Sequence, residues 1–100
     1  MQGAAKKQVI LIIEEGIRPD VLEIMKSQGI EHYTLWTGIE GVGETGPKRG
    51  NPIWPGLNDV FLLVLDGEQV EPLVDALHRL RDSLPIVPGM KFVISDAIFI

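Results

Sequence analysis

Four apolar segments along the chain have the composition of β-strands. Val9–Ile13 and Asp59–Leu65 contain continuous runs of aliphatic and aromatic residues, which predict strands buried on both faces. Ile30–Ile39 and Lys91–Ile100 are rich in β-branched and aromatic residues, which predicts two further strands. Gly, Pro and acidic residues flank these segments and set their limits.

Two segments between the strands have apolar positions at the helical period. The first begins near Arg18 or Pro19 and ends at Gly29, where a left-handed C-terminal cap belongs. The second runs from about Glu68 to Arg81. The apolar stripes consist of Val21, Leu22, Ile24 and Met25 in the first helix and of Val70, Leu73, Val74, Leu77 and Leu80 in the second.

The order of elements predicts one α+β domain over residues 1–100. Its ferredoxin-like βαββαβ arrangement is an antiparallel sheet with both helices on one face. Residues 1–6 are polar, and we expect them to fray. The central strands are apolar on both faces, so the second face of the sheet needs a cover, and self-association is the simplest one.

Composition and charge narrow the classes of function. The 100 residues are 45% apolar, and the net charge of −5 argues against a nonspecific nucleic-acid partner. The absence of cysteine excludes disulfides, thiolate metal sites and a thiol nucleophile. The apolar runs are too short to span a bilayer and the first seven residues lack a signal-peptide core, so we expect a cytoplasmic protein without membrane insertion.

A glycine-rich loop over residues 41–57 is the main candidate for chemistry. It contains Gly-Val-Gly-Glu-Thr-Gly at 41–46, followed by the cations Lys48 and Arg49 and by Trp54. We expect its glycines and prolines to forbid regular structure. Such glycines let backbone N–H groups approach an anion, and a connection of this length is usually functional or disordered. The alternative is a solvated loop whose glycines serve only turns. The spacing matches neither a Walker loop nor a dinucleotide fingerprint.

Other polar residues give weaker signals, and none forms an acid–base pair or a Ser–His–Asp set. The aspartates at the ends of elements, Asp59 among them, look like caps and solubilising charges. The chain therefore looks like a binding and signalling module, not an enzyme. Lys91 follows the Gly89 turn, where it is either a phosphate ligand or an ordinary strand-end lysine. An enzyme of the acylphosphatase type would need Arg18 together with Asn51 or Asn58, in a loop context that does not match.

The element order, Gly29-Ile30 before a Thr-rich strand, Gly41-Val42-Gly43 and the turn at Gly89-Met90-Lys91 together resemble the nitrogen-regulatory P-II-like signalling superfamily. The resemblance implies a homotrimer with ligand clefts between subunits. It implies an adenine nucleotide (ATP, ADP or AMP) as effector, and a long T-loop that engages an unidentified protein target. The ligand-binding positions it implies are Thr37, Gly41, Val42, Gly43, Thr45, Gly89 and Lys91; the partner-contacting ones are Lys48, Arg49 and Trp54.

The chain resembles a divergent member of that superfamily. Thr45 stands where the family has a metal-linked glutamine, the loop has no tyrosine, and we expect the family's C-terminal phosphate-binding arginines to be missing. A different effector therefore stays open. The alternative is a metal-binding trimer that resembles the divalent-cation tolerance proteins, with His32 and Glu31 as ligands; a lone histidine is a weak metal signal.

Overall fold

The computed structural model describes residues 2–43, 46–48, 50 and 56–100. The predicted βαββαβ order is confirmed, and two short strands are added within the glycine-rich loop. The elements are β1 (Ala4–Glu14), a 3-10 turn (Glu15–Ile17), α1 (Arg18–Ser27), β2 (Thr34–Ile39), β3 (Gly41–Gly43), β4 (Gly46–Lys48), β5 (Asn58–Leu65), α2 (Gly67–Ser83) and β6 (Met90–Phe99).

The main sheet has four strands in the order β2-β5-β1-β6, and every neighbouring pair is antiparallel. Burial alternates along the two central strands because successive side chains point to opposite faces. On the face under the helices these two strands are buried, and they form the core together with the helices. This core contains Val9, Leu11 and Ile13 of β1, Phe61, Leu63 and Leu65 of β5, Val21 and Met25 of α1, and Leu73 and Leu77 of α2.

The other face of the sheet carries no helix, and we call it the open face. Its central residues are half-buried by their neighbours alone, and Trp36, Val64, Val93 and, at the end of β6, Phe99 are exposed. The open face consists of Ile10 and Ile12 of β1, Val60, Leu62 and Val64 of β5, Trp36 of β2 and Val93 and Phe99 of β6. The sequence predicted this apolar second face correctly.

Strand β1 begins at Ala4, five residues before the predicted Val9. It pairs with β6 from Ala4 opposite Phe99 to Ile13 opposite Met90. The expectation that residues 1–6 fray is therefore wrong from Ala4 onward. The ladder continues there because β6 offers a full-length partner, and Lys7 forms an ion pair with Asp96 across the two strands.

Helix α1 ends in a glycine cap, as predicted. Gly29 has φ +74°, which an L side chain adopts only with strain. The N–H of Ile30 donates to the carbonyl of Met25 at 2.9 Å, and the N–H of Gly29 donates to that of Lys26 at 3.1 Å. This is a Schellman motif. The motif uses the backbone N–H of Ile30, and β2 begins at Thr34 instead of at Ile30.

Asp59 was expected to be a solubilising strand-end charge, and that expectation is wrong. Its side chain is fully buried on the helix-covered face. Arg18 donates to it through Nε at 2.5 Å and through Nη2 at 3.0 Å. The hydrogen bond to Asp59 raises the pKa of Arg18, so the guanidinium stays charged. This pair fixes the start of α1 over the start of β5.

Helix α2 runs from Gly67 to Ser83, slightly longer than predicted. The backbone N–H of Asp66 donates to Oε1 of Gln69 at 2.9 Å, which satisfies a polar group at the start of the helix. Nε2 of Gln28, which follows α1, donates to the carbonyl of Pro72 in α2 at 3.1 Å, and this bond joins the two helices. Within the described residues, no helix combines the length and hydropathy needed to cross a membrane.

Candidate functional site

A cleft of about 440 Å³ lies at one end of the sheet, between the base of the glycine-rich loop and the turn before β6. We call it the loop-base cleft. One wall is the segment 39–43 and the other is the segment 87–91, while Ile12, Asn58 and Val60 lie between them and Arg81 reaches it from α2.

The first wall is shaped by a bulge at the end of β2. The register between β2 and β5 shifts between Trp36 and Ile39, and Gly38 within this interval has φ +69°. A residue with this backbone conformation turns the strand away from its partner. The chain then continues into β3, which pairs with β4 from Gly41 opposite Lys48 to Gly43 opposite Gly46. The glycines were expected to forbid regular structure here; instead they build a short two-stranded ribbon.

Gly41 is needed for close packing at the base of the loop. A Cβ atom at this position would lie 2.9 Å from Nδ2 of Asn58, so the amide side chain would have to move. A Cβ at Gly43 would meet no atom within 4 Å. The first glycine of the motif therefore has a packing role that the second lacks.

The second wall is held by hydrogen bonds from the end of β1. The backbone N–H of Glu14 donates to the carbonyl of Gly89 at 3.2 Å. The next N–H, that of Glu15, donates to the carbonyl of Leu57 at 3.0 Å, at the point where the long loop returns to β5. Two consecutive peptide groups thus hold both segments that border the cleft. Pro88, next to Gly89, is buried.

Three charged side chains line the described part of the cleft. Lys91 lies opposite Ile12 in the β1–β6 ladder, and its side chain is exposed. Arg81 comes from the last turn of α2, and its Nε donates to Asp82 at 3.0 Å. Glu40 lies on the opposite wall. The described lining therefore carries two cations and one carboxylate, and one of the cations, Arg81, is ion-paired with Asp82.

The structure brings five of the predicted ligand positions into this one cleft: Gly41, Val42, Gly43, Gly89 and Lys91. Thr37 is exposed in β2, within the interval of the bulge between Trp36 and Ile39, and does not line the cleft. Thr45, Arg49, Asn51 and Trp54 lie outside the described residues, and Lys48 is described only as part of the backbone of β4.

Sequence reasoning missed Arg81 and Glu40 as lining residues. A cation in the last turn of a helix reads as an ordinary complement to the helix dipole, and nothing in its spacing points to a ligand. The signal that could have found Arg81 is its place at the start of the connection that leads to Gly89 and Lys91. Glu40 stands directly before the motif at 41–46, so its proximity to that wall could have been inferred.

Arg18 and His32, the main residues of the other two hypotheses, lie elsewhere. Arg18 makes the bidentate contact with buried Asp59, which gives it a structural role. His32 lines a separate groove of about 430 Å³ on the open face, with Lys6, Tyr33, Thr34, Leu62, Val64 and Phe99. Over the described part of the chain, no three or more His, Asp or Glu side chains gather as metal ligands. The metal hypothesis thus gains no further ligand there.

No protein-family model matches the chain, and no curated protein sequence matches it significantly. Solved structures do match it. CPII, a nitrogen regulatory PII-like protein from Thiomonas intermedia K12 bound to ADP, AMP and bicarbonate, superposes with a TM-score of 0.79 at 15% identity, over 96% of this chain and 89% of that one. The chain has the fold of the PII-like proteins. The resemblance inferred from the sequence is thereby confirmed at the level of fold.

Two further PII-like structures extend the comparison. The apo form of the same CPII superposes with a TM-score of 0.69 at 11% identity, over 96% of this chain and 95% of that one. A protein from Thermus thermophilus, described as PII-like and signalling, gives 0.64 at 18% identity, over 97% of this chain and 91% of that one. The TM-score is higher for the nucleotide-bound form of CPII than for its apo form.

Proposed function

We propose that this protein is a divergent PII-like regulator that binds an adenine nucleotide in the loop-base cleft and reports it to a partner protein through the loop at 41–57. The role is regulatory and involves no catalytic step. The observation that carries the proposal is the cleft itself. It joins the base of the long loop to the Gly89 turn, in a fold whose solved neighbour CPII was crystallised with ADP and AMP.

The physical features of the cleft suit such a ligand. Lys91 and Arg81 supply positive charge for a phosphate group. Val42 and Val87 lie on opposite walls and are 74% and 57% exposed, so both offer apolar surface to a ring. Gly41 and Gly43 keep the backbone of the first wall accessible, as close approach to a ligand requires.

Calorimetry with ATP, ADP, AMP and bicarbonate tests the nucleotide proposal. We expect binding of at least one adenine nucleotide, and weakening by about tenfold or more in Lys91→Gln, because a charge-assisted hydrogen bond is lost. Lys26→Gln is the matched control. Lys26 is an exposed lysine of α1 that does not line the cleft, so this variant should bind as the wild type does. A wild-type protein that binds none of the nucleotides at millimolar concentration would overturn the proposal.

We further propose that the open face is covered by two other copies of this chain in a homotrimer. The exposed apolar area on Trp36, Val64 and Val93 is concentrated on the face that lacks helices. Light scattering should give a trimer for the wild type. Val93→Asp should dissociate it, whereas Ile94→Asp, the next residue on the opposite face of β6, should leave it assembled. A monomeric wild type would contradict this part.

The regulatory part predicts that the ligand changes the state of the long loop. Trypsin cleaves after Lys48 and Arg49, which lie within it. We expect the nucleotide that binds best in calorimetry to change the cleavage rate at these two positions and to leave cleavage at Lys26 unchanged. Equal rates with and without a saturating nucleotide would refute a reporting role for the loop.

A further inference from the structure

We infer that Arg81 is a ligand-contacting residue of the loop-base cleft, where it binds the anionic group of the ligand together with Lys91. The inference rests on the proposed function and names a residue that no sequence motif identified. Arg81 comes from α2, whereas the other lining residues come from strands and loops. The anionic end of the ligand is thereby placed at the α2 side of the cleft.

The side chain of Arg81 is held in place by one hydrogen bond and keeps further N–H donors that no described side chain bonds. Its Nε donates to Asp82 Oδ1 at 3.0 Å, which fixes one edge of the guanidinium. Among the described residues, no other side chain bonds to it, so its two terminal nitrogens keep donors for a ligand. The side chain is 31% exposed, which means that it is partly desolvated yet still reachable from the cleft.

The contrast with Arg18 shows what an arginine with a structural role looks like in this chain. Arg18 donates two hydrogen bonds to Asp59, whose side chain is fully buried, and both bonds anchor the start of α1 to the core. Arg81 bonds only to Asp82, its own neighbour in sequence, whose side chain is 66% exposed. Such a contact between adjacent residues joins no two elements of the fold, so it gives Arg81 no comparable structural role.

The described lining of the cleft carries more cations than carboxylates in spite of the acidic chain. The protein has a net charge of −5, whereas the described lining has two cations and one carboxylate. A guanidinium presents a planar fork that matches a phosphate or carboxylate in a bidentate manner, which an ammonium cannot do. With Val42 and Val87 offering apolar surface, the ligand class is an anion attached to an apolar ring, as in a nucleoside phosphate.

The test compares ADP with adenosine, which lacks the phosphates. In Arg81→Gln we expect the affinity for ADP to fall about tenfold or more and the affinity for adenosine to stay unchanged. Arg79→Gln, an exposed arginine two residues earlier on the same helix, is the matched control and should leave both affinities unchanged. Arg81→Lys keeps the charge but loses the fork, so it should retain part of the affinity for ADP.

The outcomes separate the inference from the function on which it rests. If the wild type binds no nucleotide, the proposed function fails and the inference fails with it. If the wild type binds ADP and Arg81→Gln binds it equally well, or loses ADP and adenosine to the same degree, only the inference fails. Thermal unfolding of each variant verifies the fold, and Arg81→Lys provides the decisive comparison if Arg81→Gln is unfolded.

Discussion

The two faces of the sheet carry similar side chains in different surroundings. On the helix-covered face Val9, Leu11 and Phe61 are completely buried within one chain. On the open face Ile10 and Leu62 are only half-buried, although each is adjacent in sequence to at least one of these buried residues. The apolar pattern alone is the same on both faces. The difference lies in what covers them: the helices of this chain cover one face, whereas the other face can be covered only by a surface that this chain does not itself supply.

Adjacent leucines give the strongest test of this contrast. Leu63→Ala on the covered face should destabilise the protein by about 2–5 kcal/mol, because a fully buried side chain leaves a cavity. Leu62→Ala on the open face should cost much less at low protein concentration. Urea unfolding at two protein concentrations measures both. If the trimer forms, the cost of Leu62→Ala grows with concentration; equal costs for the two leucines at low concentration would contradict the contrast.

The second prediction concerns the ion pair between Arg18 and Asp59, the buried carboxylate of the helix-covered face. Asp59→Asn removes a buried charge whose partner then lacks its counterion, so we expect a clear loss of thermal stability. The double variant Arg18→Gln/Asp59→Asn should recover part of that loss, because no uncompensated charge remains. An additive double variant would show that the two residues do not act as a pair.

The glycines Gly41 and Gly43 sharpen the contrast at the edge of the open face. Gly41→Ala should displace the side chain of Asn58 and weaken nucleotide binding by several-fold, because it reshapes the first wall of the cleft. Gly43→Ala meets no neighbour and should bind nearly as the wild type does. Calorimetry with the best-bound nucleotide measures both. The reverse order would show that Gly43 approaches the ligand more closely than Gly41.

The smallest expected effect comes from the ion pair between Lys7 and Asp96. The hydrogen bond from Lys7, with its positive charge, lowers the pKa of Asp96. The pair therefore contributes stability above the ordinary carboxyl pKa of about 3.9, and the contribution is lost as pH falls through the lowered value. The side chain of Asp96 is 87% exposed, so the contribution is small.

Urea midpoints between pH 5 and pH 2 measure this effect. The midpoint of the wild type should fall slightly more than that of Asp96→Asn over this range. Asp75→Asn, at an exposed position of α2, is the control and should follow the wild type. Parallel curves for the wild type and Asp96→Asn would show that the pair contributes nothing.

The order of elements and the covered core could be predicted because both depend on local periodicity. Val9, Leu11 and Ile13 alternate with Ile10 and Ile12, and the helical stripes fall at the expected spacing. The start of β1 could not be predicted, since Lys6, Lys7 and Gln8 are polar. Their strand conformation comes from pairing with β6, which is distant in sequence.

The residues of the site that belong to short sequence motifs could be predicted, whereas the residue that tertiary packing brings to the cleft could not. Gly41, Gly89 and Lys91 were identified from short glycine motifs whose order matched a known family. Arg81 was missed because its approach to the cleft depends on where α2 ends over the sheet. Asp59 was misread for a similar reason: its burial follows from the position of Arg18 on α1.

The hydrogen bonds at the end of β1 have a consequence for how ligand binding could be observed. Glu14 and Glu15 donate consecutive amide protons to Gly89 and Leu57, one on each side of the cleft. A ligand that draws the two sides together or spreads them must shorten or lengthen these bonds. The rate of deuterium uptake at these two amides should therefore change when a ligand occupies the cleft. This measurement needs no label on the ligand and no substitution in the cleft.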